Sequence, residues 1–136
     1  MEKKTIVITG ASDGIGKAAA TQLVALGHRV ILVGRNKEKT KELAKRLNTP
    51  YHLVDYSKLS EVVRLAKELD TYDQIDVLIH NAGGAFNERK LTEDGFEKTF
   101  QVNLLAAFFL TNLLMDKLCK SNATMIQTTS LGANLL

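Results

Sequence analysis

The chain has 136 residues, enough for one compact domain and too few for two. Hydrophobic residues at 45% and charged residues at 24% form an ordinary globular composition and exclude a disordered or fibrous chain. A net charge of +3 is too small to imply a nucleic-acid partner, so function must be read from sites.

Cys119 is the only cysteine, which rules out an internal disulfide, and Met1-Glu2-Lys3-Lys4 runs into a short apolar strand rather than a secretory segment. A cytoplasmic location is the expectation. Near a helix end, Cys119 is expected to be a small buried hydrophobe. The most apolar stretch, residues 102–118, is broken by Asn103, Thr111, Asn112, Asp116 and Lys117. It falls short of the roughly 18 uninterrupted residues of a membrane span, so no membrane partner is expected. Asn122-Ala123-Thr124 is formally a glycosylation sequon, and without a signal segment it should carry no sugar.

In chain order, β-branched residues 5–9 end in Gly10 and read as a strand, and residues 15–26 show helical spacing closed by Gly27. Residues 29–33 repeat the strand pattern. Asn36 can cap a helix over residues 37–47, which Pro50 prevents from continuing. Residues 51–54 read as a strand, 59–69 as a helix and 75–79 as another strand. After the Gly83-Gly84 loop, Thr92 can cap a helical region reaching about residue 119, and residues 123–129 read as a fifth strand. Strands alternating with helices predict an α/β domain: a doubly wound parallel sheet of the Rossmann type, covered on both faces. No repeat, linker or domain boundary divides residues 1–136.

Thr9-Gly10-Ala11-Ser12-Asp13-Gly14-Ile15-Gly16 lies between the first strand and first helix, where a helix N-terminus offers backbone amides to phosphate. Gly10 permits the turn, Gly14 leaves room for a dinucleotide pyrophosphate, and Gly16 allows close helix–strand packing. An ordinary Gly-rich turn is the competing reading, and position in the first strand–helix unit argues against it. At the tip of the second strand an acidic residue favours NAD and an arginine accommodates the 2′-phosphate of NADP. The tip reads Gly34-Arg35-Asn36 and has no adjacent carboxylate; with Lys37 and Lys39 adding positive potential, NADP is favoured over NAD. Asp13 weakens that preference slightly, and the same cations could simply solvate a helix.

The glycine loop combines with Asn81-Ala82-Gly83 after the fourth strand and Val102-Asn103 in the following helix. Together these motifs resemble the short-chain dehydrogenase/reductase family. Thr92-Glu93-Asp94-Gly95-Phe96-Glu97, the stretch 102–111 and Thr129-Ser130-Leu131 look most like its retinol dehydrogenase-like branch. The resemblance implies that Ser12, Asp13, Ile15 and the glycines contact cofactor phosphates, Asp55 meets adenine, and Asn81, Ala82 and Gly83 line the ribose side. Asp55 could instead turn the chain ahead of Ser57, and Asn81 could satisfy neighbouring backbone. The resemblance also implies an oxidoreductase acting on a small-molecule alcohol or carbonyl. In that scheme Ser130 would hydrogen-bond the substrate carbonyl and Asn103 would support a water relay.

The family's proton-exchanging Tyr-x-x-x-Lys has no counterpart here: four residues after Tyr51, Tyr56 and Tyr72 stand Asp55, Ser60 and Asp76. The expectation is an amino-terminal, cofactor-binding part of a longer enzyme, inactive alone. A nucleotide-binding sensor without chemistry is the alternative, and methyl transfer is disfavoured by Gly34-Arg35. His28, His52 and His80 lack metal-ligand spacing, so neither a metal nor a catalytic histidine is expected, although His80 stands where the family commonly has asparagine. Self-association is expected if residues 123–129 form a sheet edge beside the apolar helix before them.

Overall fold

Every residue of Thr5-Ile6-Val7-Ile8-Thr9 is β-branched, which stiffens the side chains and suits a pleated backbone; this run forms β1 (Thr5–Thr9), buried along its length. The computed structural model describes residues 1–130. After β1 come α1 (Gly14–Ala25), β2 (Arg29–Gly34), α2 (Lys37–Leu47), β3 (Tyr51–Leu53), α3 (Leu59–Asp70) and β4 (Val77–His80). A helical run then comprises α4 (Lys98–Phe100), a π-helical segment (Gln101–Leu105), α5 (Ala106–Leu113) and α6 (Met115–Lys120), before β5 (Thr124–Gln127).

The five strands are parallel in the order β3-β2-β1-β4-β5, as expected for the doubly wound class. From β1 the chain winds outward through β2 and β3, then returns to β4. The direction therefore reverses between β1 and β4, which is where such sheets open a ligand crevice at their carboxyl ends. Alternate strand residues face opposite layers. Ile6, Ile8, Val30 and Leu32 pack with Ala20 and Leu43 on the α1/α2 side. Val7, Ile31 and Leu78 pack with Leu65, Leu69 and Leu110 on the α3/α5 side.

Several local expectations need correction. Thr92 does not cap the long helix: Thr92 N donates to Phe96 O at 2.8 Å, Gly95 turns at φ 84°, and Leu91 pairs with Glu97. The helix starts after Glu97, whose carboxylate accepts from Thr99 N and Phe100 N and satisfies two free first-turn donors. The run is also not one regular helix, because it carries the π-helical turn and breaks at Leu114 (φ −97°). β4 and β5 are shorter than expected, and Ile75 is buried just ahead of β4 with its N–H donated to Ser121 Oγ at 3.2 Å. Cys119 is exposed rather than buried, because its neighbour Leu118 takes the core-facing position of α6. Asn122 adopts φ 49° directly after α6, so it lies in a helix-terminating turn.

Candidate cofactor cleft and active site

The carboxyl ends of β1, β2, β3 and β4 surround a cleft of about 870 Å³, within the size range of cofactor sites. Its floor is the glycine loop. Gly10 and Gly14 have φ of 63° and 52°, a region that L side chains rarely adopt. A Cβ on Gly10 would meet Ala82 backbone at 2.8 Å, and one on Gly16 would stand 2.2 Å from Gly10 O and 2.6 Å from Asn81 Nδ2. Gly16 thus seals the helix against the loop beneath the cleft, whereas a Cβ on Gly14 would enter open space. Ser12, Asp13, Gly14 and Ile15 line the opening with Gly10.

Asp13 caps α1. Its Oδ1 accepts from Gly14 N at 2.8 Å and its Oδ2 pairs with Lys39 Nζ at 2.8 Å, in a partly exposed bridge. The Lys39 ammonium, then the Gly14 N–H, hold the Asp13 carboxyl below the usual carboxylate value. Arg35 and Lys39 also line the cleft, but the expectation that no carboxylate stands beside them fails in space. Sheet order sets β3 beside β2, so Asp55 lies close enough to Arg35 for that charge to stabilise it. Burial works to raise the Asp55 pKa, yet the Ser57 O–H and N–H bonds, helped by Arg35, keep it low. Asp55 Oδ1 accepts from Ser57 N at 2.9 Å and Ser57 Oγ at 2.7 Å, so the turn-forming role holds alongside its position on the cleft wall.

Asn81, Ala82 and Gly83 form the wall after β4. Thr9, which carried no assigned role, fixes this wall: its hydroxyl accepts from Asn81 N and Ala82 N, both at 3.0 Å. Asn81 Nδ2 donates to Gly10 O at 3.2 Å, so this side chain does satisfy neighbouring backbone. Asn103 sits in the π-helical segment and does not line the cleft directly; its amide instead holds the Gly84 peptide. A π-helical turn is rare and often marks a functional site. Buried Gln101 anchors this one, its Nε2 donating to Tyr56 O at 3.0 Å and Asp94 Oδ2 at 3.1 Å, and its Oε1 accepting from Thr92 Oγ1. Ser130 lies just past β5 and is exposed, while Thr128 reaches the cleft. Leu131 lies outside the described residues.

Other lining residues had no usable sequence signal. Phe86 belongs to an unpatterned loop and stacks under Lys98 Nζ, 4.6 Å from its ring centroid. Tyr56 is buried against the cleft, and that burial pushes its phenol up to about 12, with Thr9 nearby opposing. Its oxygen makes no well-formed hydrogen bond among the described residues. A phenol so disposed stays neutral and does not exchange protons near pH 7. Among the described residues there is no cluster suited to a metal ion, and no helix is long and apolar enough to cross a membrane.

A parallel sheet with a glycine-cradled crevice at its switch point defines a dinucleotide-binding class of protein. Residues 4–135 match the short chain dehydrogenase family, and the chain belongs to that family of oxidoreductases. It resembles the family's retinol dehydrogenase members, being 42% identical to human retinol dehydrogenase 13 over 123 residues, 85% of this chain and 37% of that protein. DnrU of Streptomyces sp. (strain C5), a chain named for daunorubicin C-13 ketoreduction, is 44% identical over 122 residues, 85% of this chain and 42% of its own length. The chain therefore spans about two fifths of these relatives. Among solved structures, a short chain dehydrogenase from Escherichia coli CFT073 complexed with NADPH aligns with TM-score 0.82 and 31% identity, over 96% of this chain and 60% of that one.

Proposed function

We propose that residues 1–136 are one dinucleotide-binding domain, the cofactor-holding part of an oxidoreductase that passes hydride between NADP(H) and a small-molecule alcohol or carbonyl. The observation that carries this reading is the convergence of the glycine loop, the Arg35 tip and Asn81-Ala82-Gly83 on one cleft. The residues present fit a nicotinamide dinucleotide: Gly14 leaves open space where a side chain would project, and the first turn of α1 directs amides towards it. When bound, that cofactor supplies the hydride.

In this reading Ser12, Asp13, Gly14 and Ile15 face the cofactor phosphates, with Gly10 and Gly16 shaping the loop. Arg35 meets the 2′-phosphate, Asp55 the adenine, and Asn81, Ala82 and Gly83 the ribose. Ser130 donates to the substrate oxygen and Asn103 supports a water relay. No tyrosine of residues 1–136 begins Tyr-x-x-x-Lys, so this chain alone should bind cofactor without turnover. β5, which pairs with β4 alone among the described residues, supports a homo-oligomer, and the lone cysteine agrees with a reducing, cytoplasmic setting.

Titration with NADPH and NADH tests the reading. NADPH should bind more tightly, and Arg35→Ala should narrow the gap by about 1.5 kcal/mol, or roughly tenfold, from loss of a charge-assisted bond. Equal affinities in the unmutated chain would refute the NADP preference. Turnover of alcohols or aldehydes by residues 1–136, removed by Ser130→Ala, would show that the proton exchanger lies within this chain.

A further inference from the structure

We propose that Asp13 is a specificity-determining residue that opposes NADP preference by holding Lys39 in an ion pair, so that the 2′-phosphate must compete with a resident carboxylate for Lys39. This inference rests on the proposed dinucleotide site. Asp13 and Lys39 come from different strand–helix units, on loop and helix positions 26 apart in sequence, and close on each other at 2.8 Å. Both line the cleft that Arg35 lines. The pair leaves Asp13 Oδ1 on Gly14 N, so one carboxylate occupies both a first-turn amide and the nearest lysine.

Charge balance at this end of the cleft makes the consequence concrete. Arg35 and Lys39 contribute two positive charges, while Asp13 and Asp55 contribute two negative ones. Lys17, Arg46 and Glu42 stand in the adjoining recess and Lys58 acts on Asp55, so the field there is not neutral, but a dianionic phosphate can engage Lys39 directly only once the Asp13 pairing is exchanged. The Asp13–Lys39 bridge is the one to exchange, because it is solvent-exposed, with side chains 72% and 56% accessible, and exposed pairs are weakly held. Asp55, by contrast, is fixed by two bonds from Ser57. The amine of Lys39 sits on a flexible stem and can swing from carboxylate to phosphate. An uncharged residue at position 13 would leave it free to do so, and would also remove a negative charge facing the ligand.

The test uses Asp13→Asn, which retains a side-chain oxygen able to cap α1, with Asp13→Ser as a second capping variant should the first fold poorly. Binding of NADPH, NADH, 2′,5′-ADP and 5′-AMP is measured by calorimetry in the full chain, alone and in a Lys39→Met background. Asp13→Asn should tighten NADPH and 2′,5′-ADP about three- to tenfold more than NADH and 5′-AMP, the scale of one exposed ion pair plus one nearby charge. Lys39→Met should remove the ion-pair share of that gain, leaving only the smaller effect of the lost carboxylate charge, and in the unmutated chain should weaken NADPH and 2′,5′-ADP, because Asp13 then faces the phosphate without its counterion. If both dinucleotides bind and their affinity ratio does not move, or if the gain persists undiminished without Lys39, the inference is wrong and the dinucleotide site stands. If the unmutated chain binds none of the four probes, the site reading itself fails and takes this inference with it.

Discussion

Asn103 grips the Gly84 peptide from both ends: its Oδ1 accepts from Gly84 N and its Nδ2 donates to Gly84 O, each at 2.8 Å. The bond pair ties the π-helical segment to the loop that leaves the sheet after β4. It also explains Gly83, where a Cβ would stand 2.8 Å from Asn103 Oδ1. Asn103→Ala should lower stability by about 1–2 kcal/mol, for two partly exposed hydrogen bonds, and should weaken NADPH binding through a loosened Gly83-Gly84 wall. Asn103→Asp keeps the acceptor and should recover part of both. Denaturant unfolding with cofactor titration checks this. Unchanged values for both would mean the clasp does not hold the wall in place.

Gly14 and Gly16 should fail for different reasons on substitution, Gly16 chiefly in the fold and Gly14 chiefly in cofactor binding, although the sequence motif presents them alike. A Cβ on Gly16 meets backbone, so Gly16→Ala should destabilise the fold by about 1–3 kcal/mol, as overpacking does. A Cβ on Gly14 meets no atom within 4 Å, so Gly14→Val starts from open space. It should cost about 1–2 kcal/mol for a side chain at φ 52° and should abolish cofactor binding while the fold survives. Circular dichroism melts alongside binding separate the two. A Gly14→Val chain that binds normally would reduce the loop to a simple turn.

The contrast between those glycines shows what the sequence could carry. Strand–helix alternation, the caps at Asn36 and the glycine loop follow from local rules, because neighbouring residues decide them. Arg35 was legible as a strand tip and Asp55 as a cofactor-side residue, but that the two stand close together was not. That proximity comes from sheet order, twenty residues of chain away. The same is true of Asp13 and Lys39. Thr92 looked like a cap because Glu93-Asp94-Gly95 hides a turn whose closing bond, Thr92 N to Phe96 O, competes with helix entry. The π-helical turn has no local signature; it is held by Gln101, whose partners Tyr56 and Asp94 lie on other segments.

Stability should fall below neutral pH through His80. Its Nε2 lies 2.8 Å from Thr111 Oγ1, which itself donates to Ala107 O, so the imidazole acts as the donor there. Nδ1 is buried with no partner among the described residues. Protonation would place an unpaired charge in the core, and burial accordingly holds the folded-state pKa below 6.5. The unfolded chain then binds the proton first, so the stabilising effect is complete above pH 6.5 and is lost as pH falls through the folded value. His80→Gln, which can still donate to Thr111, should flatten this acid-side decline in urea midpoints. A variant that declines as steeply as the unmutated chain would assign the effect elsewhere.

Self-association should occur along β5. Among the described residues this strand pairs with β4 alone, which leaves the amides and carbonyls of its other edge without a strand partner there, and Met125 and Ile126 are each 46% exposed. Its four residues carry no charge that would repel another strand. The neighbouring helical run adds Leu104 and Phe108, at 60% and 64% exposure, with Phe100 four residues before Leu104. Four-residue steps place side chains near one another on a helix face, and these three recur at that step through the π-helical turn. Contact between Thr111 Oγ1 and Met125 Sδ, 3.5 Å apart, ties this helix to the edge strand. A second copy could cover both at once, by strand pairing at β5 and apolar packing on the helix. Light scattering should therefore show mass rising with concentration, and Gln127→Lys should lower it by placing a charge on the edge. Phe108→Glu should do the same from the helix side, and additivity of the two would indicate separate contacts. A monomer at every concentration, with both variants indistinguishable from the unmutated chain, would mean that neither surface takes a second copy.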